Sequence, residues 1–398
     1  MGMKAFKYRI SPNREIADTL QWTLDRCREL YNAALAERKE AYRMAGKSIS
    51  YYEQKRDLVE IKNEIRPEYK DIASHVLQDV ILRVEKTYKA FFRRVKNGEK
   101  PGYPRFKGKN WYDSFCYPDG AGWKFVPSEK KHAKLVLSKI GSINVTMHRP
   151  VEGTIKTCTI KREGECWYVV FACEGEAKAL EVSYEDVGID LGITHFAALS
   201  NGEMIDNPRH YRRAEKKLKN LQEALSRKKR GSHRRKKAVQ GVARAHRKIR
   251  NQRKDFHHKE SRKLVNRYQV IVFEDLAPAN LSKAPKPKQD ENGKYLPNGA
   301  AAKGGLNKSI LDAGWKSFTA MVKAKAESAG RTVLFVNPYQ TSQVCSGCGT
   351  VKKKDLSERW HSCECGTELD RDTNAAINIL TLGQKQLQAG TQPTRATA

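Results

Sequence analysis

The chain has 398 residues, and 76 lysines and arginines against 45 aspartates and glutamates give it a formal charge of +31. Such an excess repels itself in a compact protein unless a polyanion shares the surface, which points to nucleic acid. No run approaches the roughly 18 apolar residues of a membrane span, and the opening MGMKAFKYRI lacks the apolar stretch of a leader; a membrane is therefore excluded as partner, and the cytoplasm is the expected compartment.

KAFKYRI alternates as a strand does, and residues 13–101 then read as helical. Leu20, Leu24, Cys27, Leu30 and Tyr31 fall close to helical spacing, and Val76, Val80, Val84, Tyr88 and Phe91 form a second stripe that stops at NGEKPGYP. From about Phe115 to Glu174 short β-prone runs (WKFVP, KLVLSKI, INVTMHR, TIKTCTI, CWYVVFAC) alternate with turn residues. That is the pattern of a small barrel or sandwich. The first strand is expected to join it, making residues 1–12 and 102–180 a β-barrel with a helical insertion.

A further region opens with VGIDLGITHFAALSNGEMI, whose strand runs meet at SNGE. A basic helical stretch covers about Asn207 to Arg267, and YQVIVFEDLA is an apolar strand ending in acid. Pro285 to Gly305 read as a mobile loop. NKSILDAGWKSFTAMVKAKAESAG reads as one helix stopped by glycine, and RTVLFVNP as a buried strand. A short helix and a polar tail, residues 384–398, follow the cysteine cluster.

Three carboxylates occupy telling places. With period two, Asp190 in VGIDLG shares its face only with glycines, leaving room for a ligand. Glu274 is delivered to a sheet edge by Val270–Phe273, and Asp370 and Asp372 stand at a helix start, where either also suits an N-cap. Acids in so cationic a chain make sense in a nucleic-acid groove when divalent cations stand between them and phosphates. Hard oxygen ligands suit two Mg²⁺ ions, which activate water and stabilise the leaving oxygen of a phosphodiester.

Nine cysteines do not make a disulfide framework. Cys27, Cys116, Cys158, Cys166 and Cys173 are scattered and read as packed or surface thiols. Cys345 and Cys348 form a C-x2-C knuckle, and Cys363 and Cys365 supply a second pair, four thiolates for a tetrahedral structural Zn²⁺. The second pair has one intervening residue instead of two, so His361 stays open as a substitute for one thiolate. A ribbon this small needs its metal to hold together, and its exit fixes where the next helix begins.

The densest cationic run, SRKKRGSHRRKKAVQGVARAHRKIRNQRKDFHHKE, includes Lys228, Arg230, Arg234 and Lys237 and suits contact with a phosphate backbone. Its four histidines, His233, His246, His257 and His258, read as surface residues. In PRFKGKNWY, Arg105 and Lys107 flank Phe106, a mixture suited to backbone pairing and base stacking. Ser74 and Gln78 lie one turn apart on one helix face, and glutamine can pair with adenine.

GIDLGITHFAALSNGE, VIVFEDL and DRDTNAAINIL, in this order, resemble the three motifs of a RuvC-type, RNase H-like nuclease in the TnpB proteins of bacterial insertion sequences, relatives of type V CRISPR effectors. LNKSILDAGWKSF, NPYQTSQVCSGCG and PGYPRFKGKNWYDSF are similar to TnpB signatures as well. The resemblance runs from the first strand to about Leu380. It implies an α/β multidomain protein: a barrel (1–12, 102–180), a recognition insertion (13–101), a RuvC-like domain (181–344, 367–383) and an inserted zinc ribbon (345–366). It implies an RNA-guided DNA endonuclease with Asp190, Glu274 and Asp372 as catalytic acids, and its Asp-x-Asn-Ala-Ala pattern selects Asp372 over Asp370. The expected partners are an element-derived guide RNA and duplex target DNA, with Ser74 and Gln78 near a short motif flanking the target and no protein partner. A nuclease-inactive RNA-guided repressor and a guide-independent RNase H-fold nuclease are the alternatives.

Overall fold

The computed structural model describes residues 2–109, 111–128, 132–176, 179–353, 355 and 358–390. The chain divides into two units, Met1–Glu176 and Ala177–Ala398.

The first unit starts with strand β1 (Gly2–Ser11), whose alternation turns Phe6, Tyr8 and Ile10 inward. Asn13 then caps helix α1 (Arg14–Ala45), accepting from the Ile16 amide at 2.9 Å, and Gly46 ends it in the left-handed region. Helix α2 (Tyr51–Glu60) carries a Ser50/Glu53 capping box. After a π turn and a 3-10 turn comes helix α3 (Ser74–Lys96), which buries Val76, Leu77, Val80, Ile81 and Val84. Strands β2 (Ser114–Tyr117), β3 (Trp123–Val126), β4 (His132–Leu137), β5 (Gly141–Thr146), β6 (Thr154–Glu163) and β7 (Cys166–Gly175) complete an antiparallel sheet in the order β2-β6-β7-β1-β5-β4-β3. The first strand does join this sheet, and the helices are inserted into it. The expected barrel is not formed: β2 and β3 are opposite edges, with no ladder between them among the described residues. Leu20, Leu24, Val76 and Val80 share one core with Phe115, Val145 and Phe171. Helices, not a closing strand pair, complete this core.

The second unit holds a five-stranded sheet in the order β10-β9-β8-β11-β14. Strands β8 (Asp186–Asp190), β9 (His195–Leu199) and β10 (Met204–Asp206) form an antiparallel meander. A basic helical hairpin, α4 (His210–Ser226) and α5 (His233–Arg267), leads to β11 (Val270–Glu274), which pairs parallel to β8. Beyond it lie α6 (Pro278–Leu281), a small hairpin of β12 (Lys288–Gln289) and β13 (Tyr295–Leu296), and α7 (Ala300–Ala313). Helix α8 (Trp315–Ala329) precedes β14 (Thr332–Val336), parallel to β11. A two-stranded ribbon, β15 (Trp360–Ser362) and β16 (Glu368–Asp370), runs into helix α9 (Arg371–Gln388). All five residues of β11 are buried, because Ile271 and Phe273 face the core with Phe318 and Val322 of α8 while Val270 and Val272 pack with Ile379 of α9.

Four expectations change here. Pro285–Gly305 is not one loop, since it contains the β12–β13 hairpin and the first turns of α7. The single helix expected across Gly314 is two, because Gly314 takes φ +66 and a side chain there would press on Arg253 and His257. His257 is buried, bonded at 2.9 Å to the Ala313 carbonyl, because α5 turns that position toward Phe196 and Phe318. The segment expected to be a tail from 384 is helical to Gln388: Gly383 is packed on Val272, which carries the helix past the point where its side chains become exposed. Residues 391–398 lie outside the described residues.

Candidate active site and metal centre

The pleat decides where the acids point. On β8, Val187 and Ile189 enter the core beneath α8, so Gly188 and Asp190 face the opposite side; on β11, Val272 and Glu274 do the same. Ile189 stands in register with Phe273, so Asp190 and Glu274 are the next residues of two neighbouring parallel strands. Helix α9 covers that same face. A Cβ at Gly188 would collide with the Ala376 carbonyl and the Leu380 amide, well inside 3.0 Å. The space over Gly188, expected for a ligand, is filled by the helix that carries Asp372. Ala375 and Ala376, fully buried, let that helix lie against the strand backbone.

Asp190 is half-buried, and its carboxyl is pushed up to about 8 by burial first, then by the charges of Glu274 and Asp372, against an opposing pull from Arg371. Glu274 is also raised by burial, opposed by a hydrogen bond that the Thr341 hydroxyl donates to its carboxylate. Asp372 lies beside Arg371 at 3.2 Å and Arg359 at 3.9 Å. Asp370 is the N-cap of α9, accepting from the amides of Asp372 at 2.8 Å and Thr373 at 3.2 Å. The cap holds Asp372 in the first turn, on the side of Asp190. The three carboxylates thus share one electrostatic neighbourhood, though more loosely than the thiols: among the described residues only the four cysteines bring their ligand atoms all within 4.8 Å of one another.

Those cysteines are Cys345, Cys348, Cys363 and Cys365, with Sγ–Sγ distances of 3.7 Å for Cys345–Cys365 and 3.6 Å for Cys348–Cys363. A soft tetrahedral donor set of this kind fits Zn²⁺, and Cys365 belongs to it despite the short spacing. His361 is fully buried beside the cluster; burial works against ionisation of Cys345, but hydrogen bonds from His361 and the Cys348 and Gly347 amides bring that thiol down to about 5. His361 therefore supports a thiolate and does not replace one. The remaining five cysteines are free, four of them buried.

A polar clamp, not anticipated from the sequence, ties the cysteine knuckle to both acidic elements. Asn374, fully buried, donates to the Val344 carbonyl at 2.7 Å and accepts from the Ser346 amide at 2.9 Å, gripping both neighbours of Cys345. Asn378, one turn on, donates to the carbonyls of Thr341 at 2.9 Å and Val344 at 2.7 Å. Thr341 in turn holds Glu274. The available signal was the pair of asparagines four apart in DTNAAIN, which puts two amides on one face of the helix.

The nucleic-acid candidates occupy several surfaces. Lys228, Arg230, Arg234 and Lys237 are exposed around the turn of the α4–α5 hairpin. Ser74 is exposed and accepts from Lys62 at 2.9 Å; Gln78 is half-buried. Arg105 and Phe106 are exposed, and the Lys107 backbone is pinned by Asn32 at 2.8 and 3.0 Å. No helix among the described residues is long and apolar enough to cross a membrane.

The IS605 OrfB family described as "Probable transposase" matches residues 171–284, a "Cas12f1-like, TNB domain" matches 315–379, and a "Helix-turn-helix domain" matches 1–47, which here comprise strand β1 and the single helix α1. The chain is similar to the "Putative RNA-guided DNA endonuclease InsQ" of Escherichia coli K12, 33% identical over 98% of this chain and 94% of the relative. A "Putative RNA-guided DNA endonuclease" of Streptomyces pristinaespiralis is also 33% identical, over 96% and 89%. A solved Cas12f1–sgRNA–target DNA complex shares the fold, with a TM-score of 0.56 at 14% identity over 92% of this chain and 83% of that one. With 33% identity across nearly the whole of both chains, the protein belongs to the TnpB family.

Proposed function

We propose that this protein is an RNA-guided DNA endonuclease of a transposable element, cutting duplex DNA beside a short flanking motif by metal-dependent phosphodiester hydrolysis. The observation that supports the reading best is the delivery of Asp190 and Glu274 by neighbouring strands to the face that α9, the helix of Asp372, covers; burial first, then the charges of Glu274 and Asp372, lifts the Asp190 carboxyl to about 8. The negative charge of Glu274 and Asp372 disfavours ionisation of Asp190, a penalty that bound cations would relieve. Asp190, Glu274 and Asp372 are the residues that would hold two Mg²⁺; the ions supply an activated water and neutralise the leaving oxygen. The sheet, three antiparallel strands followed by two parallel ones, presents two of these acids on adjacent strands.

The chain's own groups prepare this site. Thr341 orients Glu274, the Asp370 cap fixes Asp372, and the sheet floor keeps water from behind the acids. Cys345, Cys348, Cys363 and Cys365 are the residues that would hold a Zn²⁺, in a structural role, since four thiolates would supply its whole coordination. Their rigid block, gripped by Asn374 and Asn378, sets the start of α9. Sequence readout belongs to a guide RNA, with the protein supplying backbone contacts through Lys228, Arg230, Arg234 and Lys237. In this division of labour the first unit holds the duplex flanking the target, with Ser74 and Gln78 at the recognition helix.

Sequencing the RNA that copurifies with the expressed protein tests the guide reading. A discrete species ending in a variable segment supports it, and a heterogeneous sample of cellular RNA overturns it.

A further inference from the structure

The cleft between the C-terminal halves of α1 and α3 has no part in the hydrolytic site. We propose that it receives one unpaired purine base, guanine in preference, from a single-stranded nucleic acid.

The cleft encloses about 720 Å³, within the roughly 300–1,000 Å³ of small-ligand clefts. Its walls are aromatic. Tyr88 and Phe92 stack at 6.3 Å with 25° between their planes, and Tyr103 closes the side, its hydroxyl 3.3 Å from that of Tyr88. Phe92 is 61% exposed and Tyr42, across the cleft, 67%. Large rings held in water around a concave site suit a flat partner.

The floor is charged and incomplete. Arg38 is only 7% exposed, and its guanidinium is held by Gln54 at 2.8 Å and Glu85 at 2.7 Å. The remaining terminal nitrogen, Nη2, is buried without a hydrogen-bond partner. A fixed cation with a spare donor at the base of an aromatic slot calls for an acceptor that arrives on a planar body. Guanine presents O6 as an acceptor for that one nitrogen, and on the same edge its N1–H and amino hydrogens find an acceptor in Glu85. Lys89 lines the cleft, and α3 continues beyond it with exposed Arg93 and Arg94, a cationic run along which the phosphates on either side of a stacked base would lie. That charge selects a nucleic acid over a peptide or a neutral metabolite. The inference needs a single strand bound to the first unit and is independent of the nuclease chemistry.

The test is equilibrium binding of the purified full-length protein to labelled strands of about ten nucleotides, pyrimidine throughout except for a central guanine, adenine, cytosine or abasic site, in RNA and DNA at fixed salt. Wild type is expected to bind the guanine strand about fivefold more tightly than the abasic one. Phe92→Leu, a change at an exposed position, and Arg38→Gln are both expected to erase that preference. Preference confined to RNA identifies the guide as the source, and preference in DNA identifies the target. Equal binding of all central residues by wild type, or a preference that survives Phe92→Leu, overturns the assignment; the surface variant keeps the test valid even if Arg38→Gln fails to fold.

Discussion

Gly188 lies so tightly beneath Ala376 that a single added carbon has no room between strand β8 and helix α9. This contact sets the distance between Asp190, two residues along the strand, and Asp372, four residues back along the helix. Gly188→Ala must push α9 away. The expected cost is about 1–3 kcal/mol of stability, as in other overpacked cores, with cleavage falling further than the stability loss explains. Denaturant unfolding and a cleavage assay on the same preparation separate the two effects.

The proton on Asp190 gives a pH signature. The folded carboxyl keeps its proton up to about pH 8, whereas the unfolded chain releases it near pH 4. Between these limits the folded state binds more protons, so this group makes metal-free stability fall as pH rises from about 4 to about 8, then level off. Asp190→Asn is expected to flatten that slope and to be the more stable protein at pH 8 without metal. Because protons compete with cations, cleavage at limiting Mg²⁺ is expected to rise toward pH 8. Melting curves over pH with and without Mg²⁺ check both.

The ribbon yields a metal-content prediction. Cys365→Ser is expected to lose most of the bound zinc, and His361→Ala to retain about one zinc per chain with weaker affinity. Zinc analysis after dialysis reads the difference. Because Asn374 links the knuckle to α9, zinc removal is also expected to abolish cleavage.

At the α4–α5 turn, replacing Lys228, Arg230, Arg234 and Lys237 by glutamine is expected to weaken RNA binding uniformly across sequences. It should flatten the salt dependence by about 0.7 per lost single-strand contact in log–log slope. An unchanged slope would remove this turn from the RNA interface.

What the sequence made legible follows from local rules. Strands ending in acid, a basic helical hairpin and paired cysteines each announce themselves within a few residues, and the five-stranded sheet presents Asp190 and Glu274 as period two requires. The failures were tertiary. Whether Gly188 makes room for a ligand or a helix depends on what packs against it, 188 residues from Ala376. The break at Gly314 arises where α5 sends Arg253 and His257 against it, and burial of His257 depends on the same crossing. Barrel closure is a property of strand edges, which alternation cannot report. The Asn374–Val344 clamp joins residues 30 apart through a carbonyl, and carbonyls are the same in every residue type.

The most direct measurement compares DNA cutting and DNA binding by the RNA-loaded protein with Asp190 intact and with Asp190→Ala, in Mg²⁺. If Asp190, Glu274 and Asp372 form one hydrolytic centre, the substitution lowers the cutting rate by at least about a hundredfold and leaves target affinity nearly unchanged. Cutting that continues at the wild-type rate would show that the reaction takes place elsewhere.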